Sequence, residues 1–291
     1  MKMKNLLLST ASAIAIFVAF SPEHAAALQG TGYSYNVFIE QTGGGGNSAT
    51  SSQNGEDNYT QIMQVGTGNT AGIYDTPAST VQANSAASST GASSNRSEIV
   101  QFGNDNRATA YQYTNGNTAT INQGSATQSV TSNRATITQK GGTGNNAILT
   151  QTGDKDSSSI TQDGSSNQAR LNQAISNSEN TTYISQTGNF NDGSINQNGS
   201  AVAVATIRQS VGYNTAVITQ SNGGEDNIMQ TQTLTTPTDR NTATINRTGA
   251  GGYAQVSQAG GGNTAALTIA SSAVTALTYQ SGNGNYIQVT H

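Results

Sequence analysis

Polar and apolar positions alternate along this chain, and a longer period is laid over the alternation. From about residue 35 to residue 291 a unit recurs every eleven residues: Asn, any, Ala, any, Ile, any, Gln, then four residues rich in glycine. Asn106, Ala108, Ala110 and Gln112 are followed by Asn117, Ala119, Ile121 and Gln123, and later by Asn214, Ala216, Ile218 and Gln220. The informative residues fall at every second position, which is the period of a β-strand, so within each unit they share one face. Seven strand residues and a four-residue turn make up the unit. Turns such as Gly66-Thr67-Gly68 and Gly260-Gly261-Gly262 supply the positive φ that tight reversals require.

A single-layer meander of such strands would leave its whole Ala/Ile face wet. If consecutive units fold as an arch, the two apolar faces meet and each unit stacks in parallel on the next but one. The expected fold is therefore all-β: a two-sheet parallel β-solenoid of strand-turn-strand repeats, about 22–23 residues per rung and about eleven rungs, with cross-β spacing. Arg96, Arg107, Arg134, Arg170, Arg208, Lys140, Glu40 and Glu98 lie an odd number of residues from the nearest repeat Gln, on the outward face. Arg247, in a Gln position itself, breaks the rule. Phe38, Tyr59, Phe102, Tyr111, Tyr113, Tyr183, Tyr253, Tyr279 and Tyr286 also face outward, which leaves a thin interior and makes the Tyr row a candidate for lateral contacts.

Inward amides cost about 1–3 kcal/mol each when unpaired, and in-register stacking pairs them, as in amyloid ladders. The amides expected to form such ladders, and to carry assembly, are Gln41, Gln53, Gln64, Asn69, Gln101, Asn106, Gln112, Asn117, Gln123, Gln139, Gln151, Gln162, Asn167, Gln173, Gln186, Asn191, Gln197, Gln209, Asn214, Gln220, Gln258, Asn263, Gln280 and Asn285. Residues 75–95, with Pro77 and a Ser/Ala/Thr run, form an irregular insertion. Smaller insertions fall at 124–132 and 233–240, and the repeat register is open between 222 and 240. Asp105, Asp154, Asp156, Asp163 and Asp192 read as turn residues, where Asp is common, with gatekeeping against premature nucleation as the alternative reading.

Residues 1–27 differ from the rest. Lys2 and Lys4 precede an apolar stretch from Leu6 to Phe20, and Ala25 and Ala27 are small, which is the pattern of a Sec signal cleaved near Ala27. The stretch is short of the ~20 residues a spanning helix needs. Residues 28–291 are then the repeat domain of an exported protein. Cysteine is absent, so backbone hydrogen bonds and stacked side chains must hold it together. Charged residues make up 9% of the chain and hydrophobic residues 33%, a composition that resembles a disordered tract; the strict periodicity argues for order. Without Lys2, Lys4 and Glu23 there remain nine basic and fourteen acidic residues, a net charge of about −5 that argues against nucleic acid as partner. The two histidines are His24 and His291, so residues 28–291 hold no His-based triad or metal cluster, and the acidic residues are dispersed. No catalytic site, small-molecule substrate, metal or other cofactor is expected.

The strings Gln64-Val65-Gly66-Thr67-Gly68-Asn69, Gln258-Ala259-Gly260-Gly261-Gly262-Asn263 and Gln280-Ser281-Gly282-Asn283-Gly284-Asn285, with the fuller motif from Gln101 through Asn106 and Ala108 to Gln112, resemble the curlin repeat of the bacterial curli subunits. The likeness covers nearly all of residues 28–291. It implies export through an outer-membrane curli-type secretion channel and polymerisation with copies of itself. A curli-type nucleator or co-subunit would start a cell-surface amyloid fibre serving adhesion and biofilm matrix. The resemblance also implies that the terminal repeats matter most for nucleation, here Gln41, Gln53, Gln258, Asn263, Gln280 and Asn285. Two departures stand out: the serine that usually opens a curlin repeat is inconsistent, and the repeats are about twice as many as in a five-repeat subunit. The alternative is a monomeric β-solenoid that binds ice or acts as a surface adhesin, suggested by outward Thr118 and Thr120, Thr242 and Thr244, and Thr264 and Thr268; Arg107, Arg134, Arg170 and Tyr111 interrupt that array.

Overall fold

The structure, a computed structural model, describes residues 25–29, 35–42, 46–53, 58–75, 94–124, 130–174, 179–199, 202–231 and 237–291. Of residues 1–27, expected as a signal, those before residue 25 lie outside the described residues, as does most of the 75–95 insertion.

The elements are almost wholly strands. In chain order they are β1 (Ala25–Gln29), β2 (Tyr35–Thr42), β3 (Ser48–Gln53), β4 (Asn58–Thr67), β5 (Thr70–Asp75), β6 (Arg96–Asn104), β7 (Arg107–Gln112) and β8 (Thr118–Gln123). There follow β9 (Val130–Thr131), β10 (Arg134–Lys140), β11 (Asn146–Gln151), β12 (Ser157–Asp163), β13 (Gln168–Gln173), β14 (Thr181–Asn189), β15 (Asp192–Gln197) and β16 (Ala203–Gly212). The last are β17 (Thr215–Gln220), β18 (Gly224–Thr231), β19 (Thr242–Arg247), β20 (Tyr253–Ala259), β21 (Thr264–Ile269), β22 (Thr275–Ser281) and β23 (Tyr286–Thr290), with one 3₁₀ turn at Pro237–Asp239.

Successive strands alternate between two sheets. One has eleven strands, in the order β1-β3-β5-β7-β10-β12-β14-β16-β18-β20-β22; the other has twelve, β2-β4-β6-β8-β11-β13-β15-β17-β19-β21-β23. Every pairing is parallel, and motif position sits on motif position: Ala135 pairs with Ala108 and Ser158, and Gln139 with Gln112 and Gln162. The expected parallel two-sheet solenoid is the fold observed. β9 is the exception to the alternation: within the 124–132 insertion it adds a short pairing of Val130 with Gly103 on β6.

Alternation fixes the facing. Strands such as β8 and β17 show strictly alternating burial, and Ile62, Ile99, Ile121, Ile137, Ile160, Ile184 and Ile218 are fully buried between the sheets. Burying each isoleucine contributes about 1.5–3 kcal/mol, and the small Ala beside it lets the sheets close. Arg107, Arg134, Arg170, Arg208, Lys140 and Glu40 are exposed, as the parity requires.

The turns share one backbone device. In most copies the residue immediately before the ladder Asn, or before Asp156 in its place, is left-handed: Asp105, Ser132, Lys155, Ser166, Phe190 and Tyr213 have φ between 55° and 59°. Such a φ strains a non-glycine residue, and Gly68 and Gly262 meet it in other copies. Phe190 and Tyr213, on consecutive rungs, stack with ring centroids 4.9 Å apart.

Candidate functional site: the amide ladders

In most strands a Gln lies at or near the end, by the corner where the chain turns into the opposite sheet, and an Asn commonly stands just before the next strand. In the eleven-stranded sheet the Gln side chains form an unbroken chain: Gln112, Gln139, Gln162, Gln186, Gln209, Gln230, Gln258 and Gln280. Each Nε2 donates to the Oε1 of the next rung at 2.7–3.0 Å. The twelve-stranded sheet carries Gln41, Gln64, Gln101, Gln123, Gln151, Gln173, Gln197 and Gln220, linked in the same direction at 2.6–3.1 Å.

The second amide proton crosses the core. Gln139 donates to the Thr118 carbonyl at 2.8 Å, Gln186 to that of Gln168 at 2.6 Å and Gln123 to that of Arg107 at 3.2 Å, each on the opposite sheet. One side chain thus joins rung to rung and sheet to sheet, which explains why a buried amide is tolerated in an interior of Ala and Ile.

The Asn ladders use backbone as well. One runs Asn95, Asn117, Asn145, Asn167, Asn191, Asn214, Asn241, Asn263, Asn285. In most of its steps Oδ1 accepts the backbone N–H of the next member, as from Asn145 to Asn117 at 2.9 Å and from Asn285 to Asn263 at 3.1 Å. The Nδ2 group reaches a carbonyl in the following turn, as Asn145 does to Gly164 and Asn263 to Gly282. The other runs Asn47, Asn69, Asn106, Asn133, Asp156, Asn180 and stops, because Ala203 donates its backbone N–H to Asn180 but has no amide to continue the series.

All of the named amides whose side chains are described lie in these four ladders; the side chain of Gln53 lies outside the described ones, although its backbone pairs with Asp75. The expected set left out Asn47, Asn95, Asn133, Asn145, Asn180, Asn241 and Gln230 as ladder members. Gln230 fell in the stretch whose register was open. Asn133 stands between β9 and β10, and pairing it with Asn106 requires knowing where the insertion ends.

Asp156 corrects a sequence expectation. Read as a turn aspartate, it is 1% exposed and occupies an Asn position in the second ladder. Its Oδ1 accepts from the Asn180 Nδ2 at 2.8 Å and from the Asn180 N–H at 3.3 Å, while Oδ2 is buried with no hydrogen-bond partner. Burial pushes this carboxyl up to about 7, against the hydrogen bonds from Asn180 that pull it down; nearby Asp154 adds to the rise. The signal was available: Asp156 follows Gln151 by five residues, the same step as from Gln101 to Asn106.

The twelve-stranded sheet's Gln ladder also has a defined end. After Gln220 the position is held by Arg247 and then by Ile269. Arg247 is fully buried against an equally buried Asp226, which takes an Ala position in the other sheet between Ala205 and Ala254. Burial pushes the Asp226 carboxyl up, and the Arg247 guanidinium opposes that shift.

Residues 92–124 match the family model of the curlin associated repeat. No curated protein matches the chain. The curlin associated repeat spans β6, β7 and β8 and contains Gln101, Asn106, Gln112, Asn117 and Gln123, members of all four ladders together with Asn95. Structurally it is one rung and a half, and the rungs on either side repeat its register without a break in pairing.

Proposed function

We propose that this chain is a secreted structural subunit of a curli-like extracellular fibre, built by end-to-end stacking of solenoids and serving adhesion and biofilm matrix. Residues 1–27 direct export, cleavage near Ala27 trims the start of β1, and an outer-membrane curli-type channel carries the chain to the surface, where a nucleator or co-subunit starts polymerisation. The role is structural rather than catalytic.

The observation that carries this reading is the common polarity of the two Gln ladders. Every axial Gln bond has its donor on the lower-numbered rung, and both sheets are parallel throughout. A stack built this way presents unlike, complementary faces, so copies add head to tail, and an uncovered parallel strand edge is a template for another chain. At the β22–β23 rung Gln280 and Asn285 stand in the orientation that a further rung would extend, and they are among the ladder positions proposed to act in assembly.

Dilution of residues 28–291 from denaturant into buffer tests the proposal. Sigmoidal gain of amyloid-dye fluorescence, with the lag removed by preformed seeds, supports self-templated stacking. A β-rich species that stays monomeric for days contradicts it and favours the monomeric solenoid.

A further inference from the structure

We propose that Asp156 makes its rung proton-dependent: as a neutral acid it completes the asparagine ladder of the eleven-stranded sheet, and as a carboxylate it breaks it.

The preceding members show what the position demands. Asn47, Asn69, Asn106 and Asn133 each use Oδ1 to accept the next rung's backbone N–H, and each uses Nδ2 to donate to the carbonyl three residues before the next rung's ladder residue, at Gly66, Gly103, Val130 and Gly153. Asp156 keeps the acceptor half, since its Oδ1 takes both the N–H and the Nδ2–H of Asn180. It has no Nδ2. The atom in its place, Oδ2, is buried and unpaired. A proton on Oδ2 restores a donor where Asn carries one; without it, a second acceptor is shut away from water, which is costly.

The charged groups around Asp156 do not neutralise it. On its own turn are Asp154, half-buried, and Lys155, whose ammonium turns outward to Glu179 at 3.8 Å. On the preceding rung Arg134 is exposed on the outer face; on the following rung Glu179 is exposed, and Asn180 is the group that faces the carboxyl. Across the corner, Gln151 spends its amide on Arg134, Ser158 and Gln173. No cation reaches Oδ2 among the described residues. The upward shift of this carboxyl has the sign expected of such a site.

The sign of the linkage follows. Between the ordinary carboxyl range and about 7 the folded chain holds a proton that the unfolded chain has released. Stability is therefore greatest in acid, falls as pH rises through that window and levels off above it.

The test is equilibrium unfolding in urea of the full chain and of Asp156→Asn across pH 4.5–8.5, followed by far-UV circular dichroism. The difference between the two cancels every other titrating group. The variant is expected to match the wild type near pH 4.5 and to gain progressively toward pH 8, with the wild-type unfolding constant rising relative to the variant by about tenfold or more. Asp154→Asn and Glu179→Gln should keep most of the wild-type slope. Parallel curves for wild type and Asp156→Asn would overturn the proposal, as would loss of the slope in Glu179→Gln alone.

Discussion

Arg247 grips Asp226 across the interior, from one sheet to the other and back by half a rung: Nη2 lies 2.6 Å from Oδ1, and Nε lies 2.9 Å from Oδ1 and 3.1 Å from Oδ2. The remaining terminal nitrogen, Nη1, donates to the Gly251 carbonyl at 2.6 Å. Asp226 stands between Ala205 and Ala254, and Arg247 between Gln220 and Ile269, so the pair terminates one amide ladder and replaces it with a charge lock.

Removing either partner alone strands a buried charge. Asp226→Ala and Arg247→Gln are each expected to lower stability by ~3–5 kcal/mol. The double variant puts Ala and Gln back into positions built for them, and its stability should return to within ~1–2 kcal/mol of wild type, or exceed it. Urea midpoints for the four proteins measure the coupling; additive losses would mean that the two side chains act independently.

The facing of the strands gives a second prediction. Ile121 and Ile137 are fully buried, whereas Thr120 and Thr136 are half-buried on the outer faces. Replacing both isoleucines with Asp should prevent folding, each carboxylate being shut into an apolar layer. Replacing both threonines with Asp should cost ~1 kcal/mol or less apiece. Circular dichroism of the two double variants separates the cases, and equal damage would refute the facing.

The period and the facing were both legible in the sequence because strand side chains alternate strictly and every copy restates the alternation. What lay beyond reach was pairing across insertions. Arg247 announced itself by standing in a Gln position, but its partner is an aspartate in an Ala position of the other sheet, and finding it required the register through 222–240. Asp156 was misread for a different reason: Asp is so common in turns that its composition hid its spacing. Phe190 and Tyr213 carried no warning at all, since bulky residues are poor choices for a left-handed backbone.

Two glycines with positive φ should respond unequally to alanine. A Cβ on Gly188 (φ 94°) runs into the Val211 carbonyl of the adjacent rung, whereas one on Gly116 (φ 65°) meets nothing within 4 Å. Gly116→Ala should cost ~1 kcal/mol from backbone strain alone. Gly188→Ala should cost ~2 kcal/mol or more, because the rung spacing itself must give. Similar unfolding midpoints for the two would argue against the tight stacking of these corners.

Within a ladder, Gln139→Ala removes the acceptor for Gln112, the donor to Gln162 and the bond across the core to Thr118. The expected loss is ~2–4 kcal/mol, from unpaired amides and the cavity left behind. Gln168→Ala, on the exposed face of β13, should change stability by no more than ~0.5 kcal/mol. Chemical unfolding of this pair tests whether a glutamine's contribution depends on its face.

The most direct test of the whole account is a single distance. Thr138 stacks on Thr161, Ser185, Arg208, Met229 and Ser257 in successive rungs of one sheet. The chain has no cysteine of its own, so spin labels at Thr138→Cys and Ser257→Cys report on this pair alone. Five rungs of parallel stacking predict a narrow distribution centred about 24 Å apart, despite the long stretch of chain between the two sites. A broad distribution, or one centred far from that value, would contradict the in-register parallel solenoid on which the ladders depend.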